Sequence, residues 1–309
     1  MPAFSISDAA FAGLGLFGRH PLAAMVWAGL GVGFLGLLLI LFGPSVASTI
    51  ATLIARGQTG GSAPSVQAIF GLIGEGLGFF LILAIGSAVL SAVVACAVFR
   101  AVLEPEDGAW LYLRLGPSEL WLVAVNFVQG FILSIVQGLI TIPLGILTML
   151  SFGSRSDPGS LALGGLLRLA SYGLILWMYL RFSMAGPLTF RDRRFRLFES
   201  WAMTRGHDWR LLGVAALAGV TAFGIYLALS LVGLAGGFAI IGSLGLGDSL
   251  KSLSQQQPQA WLGLLAPILE WVLLLFWVGG AILTPLTLAP WAVIFRRLNP
   301  GESLAETFA

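Results

Sequence analysis

The chain has 309 residues, of which 58% are hydrophobic and only 10% charged, with a formal net charge of +2. A water-soluble domain carries about 25% charged residues, so a soluble globular fold is excluded. A balance this close to neutral gives no electrostatic basis for binding nucleic acid.

Residues 68–99 and 211–247 hold one charged residue between them, Glu75. A bilayer span needs about 20 apolar residues, and lipid offers the backbone no hydrogen-bond partner, so the spans are helices. The apolar runs are continuous and do not alternate, which excludes a β-barrel. The sequence therefore predicts an all-α, polytopic transmembrane helical bundle forming a single domain over 1–309. Asp8 is the only charge before Arg19, so the start of the chain does not read as a cleavable signal peptide.

In chain order, the first twenty residues, with Phe4, Phe11, Leu14 and Phe17, form a short surface helix. Six spans follow, at about 21–42, 68–99, 120–150, 161–180, 211–241 and 261–295. Turn-rich connections lie at 57–64, 154–159 and 252–258. Arginine sets the orientation. Arg19, Arg100, Arg114, Arg181, Arg191, Arg193, Arg194, Arg196, Arg205, Arg210, Arg296 and Arg297 fall on one side, against Arg56, Arg155 and Lys251 on the other. The first side is cytoplasmic, which places both termini inside. Each inner exit puts an arginine (Arg100, Arg181, Arg296) shortly before a proline (Pro105, Pro187, Pro300). That recurrence suggests three hairpins related by duplication, at 21–105, 120–187 and 211–300.

Ionisable residues inside spans are costly, at roughly 3 kcal/mol or more each, and are functional candidates by default. Glu75, Arg168 and Glu270 lie at one expected depth, roughly 12–15 Å from the outer helix ends at 1.5 Å per residue. Together with Gln137 they form a candidate intramembrane ionic cluster, serving either as an ion or ligand site or as a structural lock between hairpins. Asn126 and Gln129 share a face of the third span with Gln137 and act as a polar path or as interhelical hydrogen-bond glue.

Residues 189–210 are the densest charged segment. At 100° per residue, Phe195, Leu197, Phe198, Trp201 and Ala202 fall opposite Arg196, Glu199 and Ser200, which predicts an amphipathic helix lying in the membrane interface. Arg193, Arg194, Arg196 and Trp201 are its candidate contacts to anionic lipid head groups.

Several motifs carry no chemistry. Gly31-Val32-Gly33-Phe34-Leu35-Gly36 matches the dinucleotide glycine fingerprint, but it sits inside an apolar span with no strand before it. Gly29 and Gly33, like Gly74 and Gly78, are better read as close helix packing. Cys96, His20 and His207 do not make a metal site. No cofactor, metal or catalytic residue is assigned.

The segments Glu104-Pro105-Glu106-Asp107, Leu113-Arg114-Leu115-Gly116 and Phe195-Arg196-Leu197-Phe198-Glu199-Ser200-Trp201 through Thr204-Arg205-Gly206 resemble uncharacterised six-span inner-membrane proteins of alphaproteobacteria. More distantly, the hairpin pattern is similar to the membrane domain fused to some glycerophosphodiester phosphodiesterases, and to YciC-type envelope proteins. The resemblance implies a bacterial inner membrane location. It does not carry catalysis, because Arg205-Gly206-His207 reverses the order that the phosphodiesterase motif requires. The residues favour a non-enzymatic envelope protein that interacts with membrane lipids or scaffolds partners. A transporter or channel component using Glu75, Arg168 and Glu270 is the alternative, and a membrane-embedded enzyme acting on lipids has least in its favour.

Overall fold

The computed structural model describes residues 5–58, 66–106, 108–153, 158–243, 245 and 258–298. Among these the secondary structure is entirely helical. The elements in chain order are α1 (Ile6–Ala10), α2 (Ala12–Arg19), α3 (Pro21–Gln58), α4 (Val66–Leu103), a 3₁₀ turn (Ala109–Tyr112), α5 (Pro117–Gly153), α6 (Pro158–Phe182), α7 (Ala185–Asp192), α8 (Glu199–Thr204), α9 (Asp208–Ser243) and α10 (Pro258–Leu298).

Proline opens four of the long helices, at Pro21, Pro117, Pro158 and Pro258. Its fixed φ suits the first helical position, and its missing N–H would have no partner there in any case. Among the described residues, five helices are long and apolar enough to cross a membrane: α3, α4, α5, α9 and α10. The fourth expected span, α6, is 25 residues long and carries Arg168 and Arg181, and it is not one of the five. The connections expected at 57–64, 154–159 and 252–258 lie largely outside the described residues.

The chain divides into two compact units. One comprises residues 1–12, 91–217 and 288–309, the other 13–90 and 218–287. In the first, α5 packs against α6 and α7, and α8 packs against α6 and α7. Its core joins Ala92, Ala95, Cys96 and Phe99 of α4 to Leu122 of α5, Phe190 of α7 and Ala292 of α10. A second cluster joins Val125 of α5, Phe182 of α6, Ala185 of α7 and Leu197 of the α7–α8 connection. Gly186 lets α7 approach α4 closely, since a Cβ there would stand 3.0 Å from the Phe99 ring.

In the second unit, glycines seat aromatic rings. Phe34 of α3 lies against Gly86 of α4, and Trp271 of α10 lies against Gly236 of α9. Phe42 and Phe79 meet edge to face with ring centroids 5.4 Å apart. Two indoles of α10 also donate to backbone carbonyls, Trp271 Nε1–H to Gly233 at 3.2 Å and Trp277 Nε1–H to Met25 at 2.7 Å. Each bond satisfies the single donor of the indole ring. Of the glycine pair expected to pack, a Cβ at Gly29 would stand 3.5 Å from Trp277 Nε1, whereas Gly33 faces open space, as does Gly78; the surroundings of Gly74 lie outside the described set. In this unit close packing therefore uses a glycine under a ring more than a spaced pair of glycines.

Two expectations are corrected. The N-terminal segment is not a single surface helix, because it breaks at Phe11 and buries Ala9 and Ala10. Nor do residues 189–210 form one amphipathic helix. Helix α7 ends at Asp192, and Arg193 takes a left-handed conformation with φ 51°. Residues 194–198 are irregular, 199–204 resume a helix, and α9 starts separately at Asp208. Leu197 is fully buried while Phe198 is exposed, so the expected apolar face is split.

Hydroxyl groups explain this course. Thr189 Oγ1 accepts from the Arg196 backbone N–H at 3.3 Å and turns the chain back. Ser200 Oγ donates to the Arg181 carbonyl at 2.6 Å and accepts from the Met184 N–H at 3.2 Å. Thr204 Oγ1 donates to the Ser200 carbonyl at 2.9 Å. Thr189, Ser200 and Thr204 are fully buried. The segment is thus fastened over the end of α6, where the last helical carbonyls have no partner within the helix.

Candidate functional site

Five helices carry arginine in their last turn within the described residues: α2, α4, α6, α7 and α10. A cation there complements the negative end of the helix dipole. The structure adds a second feature at two of these ends. The exit arginine reaches the first-turn acid of the next long helix.

At the end of α4, Arg100 Nη2 donates to Glu119 Oε1 at 2.7 Å, and Glu119 lies in the first turn of α5. Both side chains are almost enclosed, 7% and 5% exposed. Arg100 Nη1 also donates to the Tyr112 carbonyl, and the guanidinium stands 5.4 Å from the Phe190 ring centroid. Leu111 and Tyr112 both have positive φ, at 58° and 64°. That backbone is costly for residues with a Cβ. Arg100 holds it from one side, and the Tyr112 hydroxyl, donating to the Pro105 carbonyl at 3.3 Å, holds it from the other.

At the end of α6, Arg181 Nη2 donates to Asp208 Oδ1 at 2.8 Å, and Asp208 lies in the first turn of α9. The Arg181 guanidinium stands 5.4 Å from the Trp177 ring and 5.9 Å from the Trp201 ring. These two indoles meet edge to face at 5.1 Å, and Trp201 also meets Phe182 at 5.8 Å. At the end of α10, Arg296 Nη1 donates to the Val102 carbonyl in the last turn of α4, at 3.2 Å. Arg191 of α7 stands 5.7 Å from the Phe295 ring.

The residues expected to contact lipid sort differently from one another. Arg193 and Arg194 are exposed. Arg196 is half-buried between two carboxylates, 3.1 Å from Asp192 and 3.2 Å from Glu199, so its charge is already balanced. Trp201 belongs to the Arg181 cluster. Arg205 and Arg210 are exposed, as are Phe198 and Trp209, which are 63% and 82% exposed.

The intramembrane candidates are not buried as the sequence suggested. Arg168 and Glu270 are exposed, and neither forms an ion pair among the described residues. The Glu75 side chain lies outside the described set. Asn126, Gln129 and Gln137 are all half-buried. The Gln137 carbonyl accepts from Thr141 Oγ1 at 2.8 Å, a bond within the helix that uses no side-chain amide. Among the described residues, no three His, Cys, Asp or Glu side chains are grouped to hold a metal.

Sequence reasoning missed Glu119, Asp208, Tyr112, Thr189, Ser200 and Thr204. The two acids carried a usable signal, since each is the last acid before a long apolar run. The hydroxyls and Tyr112 carried none, because their roles depend on contacts with distant elements.

Comparison of the chain with family models, curated proteins and solved structures gives no match. A functional reading therefore rests on the residues themselves.

Proposed function

We propose that this chain is a six-span bacterial inner-membrane protein, with both termini cytoplasmic, that holds anionic phospholipid at its arginine-rich face without catalysis of its own. Helix α6 is the sixth span in this reading. Its 25 residues extend about 37 Å at 1.5 Å per residue, longer than a hydrocarbon core of about 30 Å. Leu166, Leu169 and Tyr172 are exposed on either side of Arg168. Arg168 reaches the outer interface by extending along the helix, as long cationic side chains do.

The observation that carries the proposal is the exposure of Arg193, Arg194, Arg205 and Arg210 beside exposed Phe198 and Trp209. Aromatic groups at head-group level and arginine facing anionic lipid are the pattern of a cytoplasmic membrane boundary.

Each arginine at an anionic surface contributes about 1 kcal/mol. Protein reconstituted in mixed phosphatidylglycerol and phosphatidylcholine, then re-extracted with its tightly associated lipid, should be enriched in the anionic component. The Arg193→Gln/Arg194→Gln variant should lower that enrichment by up to about 30-fold, whereas Arg196→Gln should change it little, because two carboxylates already neutralise that side chain. Equal lipid composition in wild type and the double variant would overturn the proposal.

A further inference from the structure

We propose that Arg181, framed by Trp177 and Trp201, binds the phosphate of a single phospholipid head group. This deepens the lipid reading above and rests on it in placing the end of α6 at a membrane surface.

Arg100 and Arg181 occupy corresponding places, each in the last turn of one long helix and paired with a first-turn acid of the next long helix. Their surroundings differ. Arg100 has Glu119 on Nη2 and the Tyr112 carbonyl on Nη1, and the carboxylate is enclosed with it. Arg181 has one acceptor, Asp208, whose side chain is 41% exposed. Its Nε and Nη1 are buried with no acceptor among the described residues. His207, adjacent to Asp208, has a buried Nδ1 in the same condition. Buried charged donors without acceptors are strongly disfavoured. Indole faces attract the cation but accept N–H groups only weakly.

The missing component is an oxyanion with several acceptor oxygens. A guanidinium flanked by aromatic rings is the donor chemistry that suits phosphate. The positive end of the α9 dipole, which begins at Asp208, favours the same charge.

Trp177 and Trp201 are both partly exposed, and Leu174, Leu176 and Tyr179 of α6 are exposed beside Trp177. The approach to Arg181 on this side is therefore apolar. A hydrated free anion gains nothing from such a path. A phospholipid lays its chains along it and brings its phosphate to the arginine, with the indoles at the polar boundary.

The test uses full-length protein, delipidated in detergent and titrated with dioctanoyl phosphatidylglycerol under native mass spectrometry. Wild type should take up one equivalent. Dioctanoylglycerol, which has the chains but no phosphate, should not bind, and inorganic phosphate should neither bind nor compete at comparable concentration. Arg181→Gln should weaken lipid binding at least about tenfold, the scale of lost charge-assisted hydrogen bonds. Should that variant fail to fold, Trp177→Leu/Trp201→Leu decides, since it keeps the Arg181–Asp208 pair and should weaken binding several-fold. Unchanged binding in the folded variants, equal binding of dioctanoylglycerol, or equal affinity for inorganic phosphate would each overturn the assignment. Arg193→Gln/Arg194→Gln should leave the single equivalent intact. No bulk anionic enrichment of the wild type, or none lost in that double variant, together with uptake of the single equivalent would sink the broader reading and spare this site. Enrichment that depends on Arg193 and Arg194 without any single equivalent would do the opposite.

Discussion

Glu119→Ala should destabilise the protein by about 3–5 kcal/mol, the cost of leaving one member of a buried ion pair uncompensated. The substitution strands Arg100 in an enclosure where both side chains are almost inaccessible. It also frees the guanidinium that holds the Tyr112 carbonyl, and with it a turn in which two successive residues have left-handed backbone. The unfolding midpoint of the purified protein in detergent is the measurement. Arg100→Met/Glu119→Leu should recover part of the loss, because a well-packed apolar pair can replace a buried ionic one. Recovery should be incomplete, because the double variant also removes the Arg100 hydrogen bond to the Tyr112 carbonyl. Asp208→Ala should cost less than Glu119→Ala, since Asp208 is substantially exposed and water already screens its pairing with Arg181. A wild-type midpoint for Glu119→Ala would show that the pair does not hold this end of the molecule together.

The second large effect concerns Gly13 of α2. A Cβ at this position would collide with the backbone of Leu286 and the carbonyl of Pro285 in α10, within one unit of the structure. Backbone cannot move aside as a flexible side chain can. Gly13→Ala should therefore cost about 1–3 kcal/mol or more, the range for forced overpacking. Gly15 and Gly18 lie in the same helix with open space around them. Gly15→Ala should instead stabilise by up to about 1 kcal/mol, because alanine is the better helix former. Comparing the two midpoints separates a packing requirement from a general sensitivity of this helix. Equal responses would remove the argument that α2 is seated on α10 through Gly13.

Much of the architecture was legible because it follows from composition and length. Long uncharged runs demand helices, and arginine marks their ends. Pro21 was placed correctly as a helix start, and Pro117, Pro158 and Pro258 carried the same information for the helices they open. What could not be read was direction. The membrane-length helices are apolar around most of their circumference, so no periodicity tells which side faces a neighbour. That is why Arg168 and Glu270 were expected to be buried and are exposed. The segment 189–210 failed for a different reason. Its 100° periodicity is satisfied locally by α8, but Thr189, Ser200 and Thr204 bond to groups that the sequence places up to 23 residues away. A helix wheel has no means of registering those partners. The candidate site was legible only as charge clustering. Its two arginine–acid pairs and the aromatic frame of Arg181 required the fold.

Cys96, the single cysteine of the chain, is completely enclosed among Ala92, Ala95, Phe99, Leu122 and Phe190. A thiol so placed is inert to polar maleimide reagents as long as the protein stays folded. A thiol engineered at any loop position would then report without background whether that loop faces the reagent, and modification of Cys96 itself would mark the fraction of molecules that had come apart.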